Sequence, residues 1–232
     1  MRRVVLLALA AAIALAVAAA ALAGPLDPQL HKRAVDVRRA KTLIMKRGDL
    51  PAGFVDKGPQ KDTGPTPDIP CSQPNLHALV MTADVSSHEF ARSRAGSFAE
   101  VSSEVSFFIH AAQAQKAVTA VTSPRIGRCL KKFVVESATK STNGQMDIVS
   151  VRLVPLSESV ADMRAKFWDM FLTFKAHGLL FRDELVLGYF RRGRVVSMVM
   201  LNSLNGLTEE EAKAISERLT LRLESLPKPV VR

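Results

Sequence analysis

The chain has 232 residues, 47 % of them hydrophobic, with 32 Lys and Arg against 22 Asp and Glu for a formal net charge of +10. Only one apolar run is long enough to span a bilayer, and there is no internal repeat, which excludes a polytopic helical membrane protein and a solenoid. Val, Leu, Ile, Met and Phe are abundant enough for a core that needs no metal to close it.

The first residues read as an export signal. Arg2 and Arg3 precede an apolar run from Val4 to Leu22, and Ala21-Leu22-Ala23 places small residues where a signal peptidase needs them, before Gly24. No cysteine follows, which argues against a lipoprotein anchor. An uncleaved membrane anchor is the rival reading. The expected organisation is a signal peptide over 1–23 and a single extracytoplasmic domain over 24–232, with no transmembrane segment after cleavage. Cleavage would leave a charge of +8, the difference between +10 and the two arginines.

Pro28 to Lys46 predicts a helix, with Leu30, Ala34, Val37 and Ile44 as its apolar stripe. Lys32, Arg33, Arg38, Arg39 and Lys41 crowd its other face. Arg47-Gly48-Asp49 spells an adhesion tripeptide, but Gly48 suits the left-handed position after a helix and Pro51 keeps Leu50 out of helical space. The tripeptide therefore reads as punctuation. A strand should begin within Ala52 to Asp56.

Gly58 to Pro74, with five prolines and two glycines, predicts an irregular loop. Strands follow at Leu79–Phe90 and Ser97–Ile109, with Arg92 to Gly96 turning between them. Helices are expected at His110–Thr122 and from Pro124 onward, together forming a crossover on one face of a sheet. Asp147–Leu156 alternates as a strand, and the aromatic-rich Lys166–Ala176 also favours one. Arg191-Arg192-Gly193 joins Glu184–Phe190 to Arg194–Leu201 as a hairpin. Thr208 and Glu211 form a capping box for a final helix that Pro227 would end. The fold class is α+β: a curved, mostly antiparallel sheet of about six or seven strands with helices on its faces.

"TLIMKRGDLPAGF" (Thr42–Phe54), "CSQP" (Cys71–Pro74), "EVSSEVSFF" (Glu100–Phe108), "GRCLKKF" (Gly127–Phe133) and "DELVLGYFRRGRVVSMVM" (Asp183–Met200) resemble phrases of small secreted actinobacterial proteins. More distantly, the element order is similar to the extracellular sensor domain of mycobacterial receptor kinases and to PsbP-type folds. The resemblance implies a curved sheet, surrounding helices and a cleft for a ligand.

Outside the cytoplasm the cysteine pair Cys71 and Cys129 reads as a disulfide, worth roughly 4 kcal/mol by loop entropy. Ser137-Ala138-Thr139-Lys140 matches a penicillin-binding Ser-x-x-Lys, and Ser141-Thr142-Asn143 mimics its partner motif, but no Lys-Thr-Gly follows. His31, His77, His88, His110 and His177 lack ligand spacing, so neither a metal nor another cofactor is implied. His110 reads as a polar end of core packing. Asp183 and Glu184, adjacent on a strand, point to opposite faces and read as a solvated strand start. Basic clusters in the first helix, at Arg125 to Lys132 and at Arg191 to Arg194 would attract anionic lipid or wall polymer, with nucleic acid disfavoured. The expected function is a non-catalytic extracytoplasmic module that binds an unidentified small ligand in a sheet-lined cleft. The alternative is a peripheral envelope protein held to an anionic component by its basic surface.

Overall fold

A computed structural model describes residues 28–59, 75–94, 96–141, 146–160, 163–176 and 179–226. The signal-like run, most of the Pro-rich loop with Cys71, and Pro227 lie outside the described residues, as do His177 and Asn143. Nine strands and four helices follow in chain order: β1 (Gln29–Leu30), α1 (Ala34–Leu43), β2 (Val55–Pro59), β3 (Val80–Ser86), β4 (His88–Arg94), β5 (Ser97–Phe108), α2 (Ala111–Val121), α3 (Pro124–Ser141), β6 (Met146–Val160), β7 (Met163–Ala176), β8 (Leu179–Arg192), β9 (Val195–Leu204) and α4 (Glu209–Glu224). The α+β class holds, and the sheet runs β1-β3-β5-β9-β8-β7-β6, with β2 added through β4.

The strand count exceeds the expectation for two local reasons. β3 and β4 are one run broken at Ser87, whose hydroxyl accepts the Ser103 N–H at 2.9 Å while its own N–H donates to Ser103 O. Ser86 faces Glu104 and Phe90 faces Val101, so three residues oppose two, as in a β-bulge. β1 arises where a helix was expected. Gln29, His31 and Arg33 donate backbone N–H bonds to Leu79, Met81 and Thr82, completing the outer edge of β3. The helix therefore starts at Ala34, and Leu30 and Ala34 are exposed; its buried face is Asp36, Ala40 and Leu43.

Helices cover both faces of the sheet. On one, α2 and α3 pack over Trp168, Met170, Leu187, Met198 and Met200. On the other, α1 and α4 cover Val101, Val105, Phe190, Val199 and Leu201. Alternate residues of β9 thus enter opposite cores, and β5, β9 and β8 have no solvent face over much of their length. α3 approaches closely enough that a Cβ on Gly127 would stand 2.6 Å from the Trp168 ring. The Trp168 indole N–H in turn donates to Val121 O at 3.1 Å, fixing the C-terminal end of α2 over the sheet.

Arginines fasten the other helical layer. Arg194, from the turn of the β8–β9 hairpin, donates two bonds to buried Asp36 at 2.5 and 3.0 Å, and Thr82 donates a third at 2.6 Å. Burial pushes the Asp36 carboxyl up, but these bonds outweigh it and hold it below its ordinary range. Arg92 makes a two-pronged contact of 2.6 and 2.7 Å with Glu211 in the capping box of α4. Arg191 and Arg192 bond the carbonyls of Gly193 and Leu223. The Arg191–Arg194 cluster is therefore internal scaffolding, not the exposed patch its composition suggested.

Arg47-Gly48-Asp49 forms one 3-10 turn, with a different logic from the expected helix cap. α1 already ends at Leu43, and Gly48 does not have a positive φ; Gly53 does, at 91°. Asp49 holds the turn, accepting from Lys46 N–H at 2.6 Å and from Arg222 of α4, while Arg218 donates to its carbonyl. A side chain on Gly48 would meet open space. Gly48→Ala should leave the melting temperature within about 1–2 °C of wild type. Asp49→Ala should lower stability by about 1–2 kcal/mol by orphaning Arg222 and the turn N–H. Equal melting curves for Asp49→Ala and wild type, read by circular dichroism, would contradict this assignment.

Candidate functional site

Because β5, β9 and β8 are covered on both faces, polar side chains there need partners. On the α2–α3 face the pairing is laid out in rows. Ser102 faces Met200, which faces Leu187, which faces Trp168, beneath the end of α2. In the next row on that face, Glu100 faces Asn202, which faces Leu185, which faces Met170. One row further along β8, Asp183 faces Leu172. The chain thus places Glu100, Asn202 and Asp183 on three neighbouring strands of one face, just past the end of α2.

The surroundings of this group are apolar. Ala91, Phe98 and Leu204 form a small buried cluster beyond it, and Phe181 packs against both that cluster and the main core. Phe181 also stacks on Phe174 at 5.3 Å. Glu100 and Asn202 are 0 % exposed and Asp183 8 %. Neither carboxyl oxygen of Glu100, neither end of the Asn202 amide, nor Asp183 Oδ1 is met in hydrogen-bond geometry by another group among the described residues, although the Glu89 carboxyl lies near enough to Glu100 to share a proton with it. Native interiors leave few such atoms, and here five lie together.

The electrostatics follow from that placement. Burial pushes the Glu100 carboxyl up to about 9, helped by the adjacent Glu89 carboxyl, with which it can share a hydrogen bond only if one of the two holds a proton, and by Asp183. Exposed Lys57 on β2 pulls weakly the other way. Burial likewise pushes Asp183 up to about 8, against a bond accepted from the Glu184 N–H. At neutral pH both acids therefore keep their protons. Lys116, Arg125, Arg128, Lys131 and Lys132 of α2 and α3 are exposed.

Glu184 points to the opposite face, as strand geometry requires, and is exposed; there it meets Asp169, whose carboxyl burial pushes up to about 6. The expected solvated strand start is thus corrected for Asp183. β8 begins at Leu179, so Asp183 lies well inside it and is buried beneath an apolar cluster. Glu100 and Asn202 were not singled out from the sequence at all. The available signal was an acid and an amide in largely apolar stretches of strand, Phe98-Ala99-Glu100-Val101 and Met200-Leu201-Asn202-Ser203-Leu204, which sequence alternation reads as ordinary solvent-facing positions.

The other candidates stay apart. Lys32, Arg33, Arg38, Arg39 and Lys41 are all exposed on or beside α1, on the far layer of the molecule from Glu100. Cys129 is buried in α3, no described cysteine is free, and Cys71 lies outside the described residues. His31, His77, His88 and His110 are exposed, His110 at the start of α2 rather than at the edge of the core, and His88 bonds Asp56 at 2.8 Å. Among the described residues no group of three or more metal-ligating side chains converges. Ser137 and Lys140 lie on α3, far along from Gly127.

No family model and no curated protein matches the sequence. Among solved structures, the chain is similar to the extracellular domain of PknH from Mycobacterium tuberculosis, with 15 % identity over 82 % of this chain and 97 % of that one and a TM-score of 0.43. It is also similar to LpqN, a protein involved in cell envelope biogenesis of Mycobacterium tuberculosis, with 11 % identity over 87 % of this chain and 97 % of that one and a TM-score of 0.28.

Proposed function

We propose that the protein is an extracytoplasmic, non-catalytic binding module whose ligand is held on the α2–α3 face of the sheet by Glu100, Asn202 and Asp183. The observation that carries this reading is the set of five unpartnered polar atoms in an otherwise apolar, covered region. Burying such groups without partners costs stability, about 1–3 kcal/mol for each group, and a ligand that supplies the missing bonds recovers it. The export signal read at residues 1–23 supports placement outside the cytoplasm. A Cys71–Cys129 bond suits that compartment; labelling of the unfolded, unreduced protein should find no reactive thiol, and two thiols would refute the bond.

A second reading rests on α1. The five basic side chains on it or just before it are exposed beside exposed Leu30 and Val35, at 42 % and 49 %, a face suited to an anionic surface. Each charge would contribute about 1 kcal/mol near an anionic bilayer, fading within a Debye length. Sedimentation with phosphatidylglycerol vesicles at low salt should pull down the wild-type protein and not a Lys32→Glu, Arg38→Glu, Lys41→Glu variant. Wild-type protein that stays in the supernatant at low salt would end this second reading.

The binding-module reading is tested on the polar group itself. The unfolded chain sheds the Glu100 and Asp183 protons by about pH 5, whereas the folded chain keeps them to about 9 and about 8. The folded state therefore binds more protons across that window, and stability should fall as pH rises from about 5 to 9. Glu100→Gln, neutral at every pH, should flatten part of that fall. Asn202→Leu should match or exceed wild-type stability, by up to about 1 kcal/mol, because it removes an unpartnered amide. In native mass spectrometry, protein recovered from the cells that make it should carry a small molecule that Glu100→Leu and Asn202→Leu lose. Strong destabilisation by both substitutions at pH 6, with no bound molecule on the wild type, would make the three residues structural and overturn the reading.

A further inference from the structure

The unpartnered atoms are not chemically balanced. Four are oxygens, two on Glu100, one on Asp183 and one on Asn202, and one is the Asn202 amide nitrogen. Glu89 adds a further carboxyl beside Glu100 on β4. No arginine or lysine donates to any of these unpartnered oxygens among the described residues, although arginines bond carboxylates at Asp36, Asp49 and Glu211 elsewhere in the fold. Once ionised, these carboxyls only accept, and a ligand that brings donors with positive charge is what a low-dielectric cluster of acids favours most.

Resting on the binding-module reading, we propose that the site takes a small organic cation, an amine or guanidinium compound, whose nitrogen donors replace the protons held by Glu100 and Asp183. Asn202, opposite Glu100 on β9, accepts a donor from the same ligand through its amide oxygen and orients it. The acids sit two strands apart, so Cα positions lie on the order of 10 Å from one another across the sheet, a span suited to a short diamine or an amino sugar. Entry of the cation lets a carboxyl ionise, and the displaced proton leaves to solvent, so charge in the site is conserved. The charged groups acting on Glu100 are Glu89 from β4, Asp183 from β8 and Lys57 from β2; Glu184 acts on Asp183. Of these only Lys57 opposes a cation, and it is exposed.

Isothermal titration calorimetry of the full chain freed of its signal segment tests this with three probes: putrescine, glucosamine and N-acetylglucosamine. The last two differ in whether the nitrogen is cationic. At least one of the two cationic probes should bind and N-acetylglucosamine should not. Titrations in buffers of different ionisation enthalpy should show proton release at pH 7. The binding constant should rise by up to about tenfold per pH unit between pH 6 and 8 for each proton released. Glu100→Gln, the shape of the protonated acid, should lose the Glu100 share of that pH dependence, leaving only the Asp183 share, and at least tenfold in affinity while keeping the wild-type circular dichroism spectrum. Equal binding of glucosamine and N-acetylglucosamine, or binding with no proton release, would overturn the cation assignment and leave a binding module for neutral ligands. Failure of both cationic probes would also overturn it, whereas the module itself stands or falls on the molecule carried by the native protein.

Discussion

The constraint on which everything else depends is that the central strands β5, β9 and β8 are covered on both faces. α2 and α3 close one side and α1 and α4 the other, so alternate residues of β9 feed two separate cores. In such a strand every polar side chain either finds a partner or costs stability. Most find one. Ser103 accepts the Met45 N–H, Asp36 takes Arg194 and Thr82, and Ser203 accepts from Gly206 and Leu207. Against that background Glu100, Asn202 and Asp183 gather five of the buried polar atoms left without a partner among the described residues, the others being Asp169 Oδ1 and Ser197 Oγ.

The arginine excess looks different in the folded chain from how it looks in composition. Arg92, Arg192, Arg194, Arg218 and Arg222 all reach across sequence separations of 31 residues or more to carboxylates or carbonyls that join α1 and α4 to the sheet. The contacts of Arg92 and Arg194 are forked and charge-assisted, a geometry in which a planar guanidinium suits a carboxylate better than lysine would. The basic residues left outward on α1 are a separate population. Their exposure costs nothing in the fold, so surface attraction and ligand binding are free to coexist on opposite layers.

Much of the architecture was legible because it is written locally. The β8–β9 hairpin follows from Arg191-Arg192-Gly193, with Gly193 at φ 56°. α4 follows from its capping box, and α2 and α3 start at Ala111, one residue past the expected His110, and at Pro124. β1 was not legible, because two residues become a strand only when the edge of β3 is there to receive them. The site was illegible for a related reason. Glu100, Ser102 and Glu104 alternate with Ala99, Val101, Ser103 and Val105, a pattern that reads as one wet and one dry face. Only the pairing of β5 with β9, β3 and β4 at once, and the helices over both faces, make Glu100 a buried acid.

A high-resolution crystal structure of the protein recovered from the cells that make it, grown near pH 7, tests the central claim most directly. The account predicts a non-protein molecule within hydrogen-bonding distance of a Glu100 carboxyl oxygen and the Asn202 amide, with Asp183 Oδ1 at its other side. A dry site in which these atoms bond one another or the main chain, with no space for a guest, would contradict it.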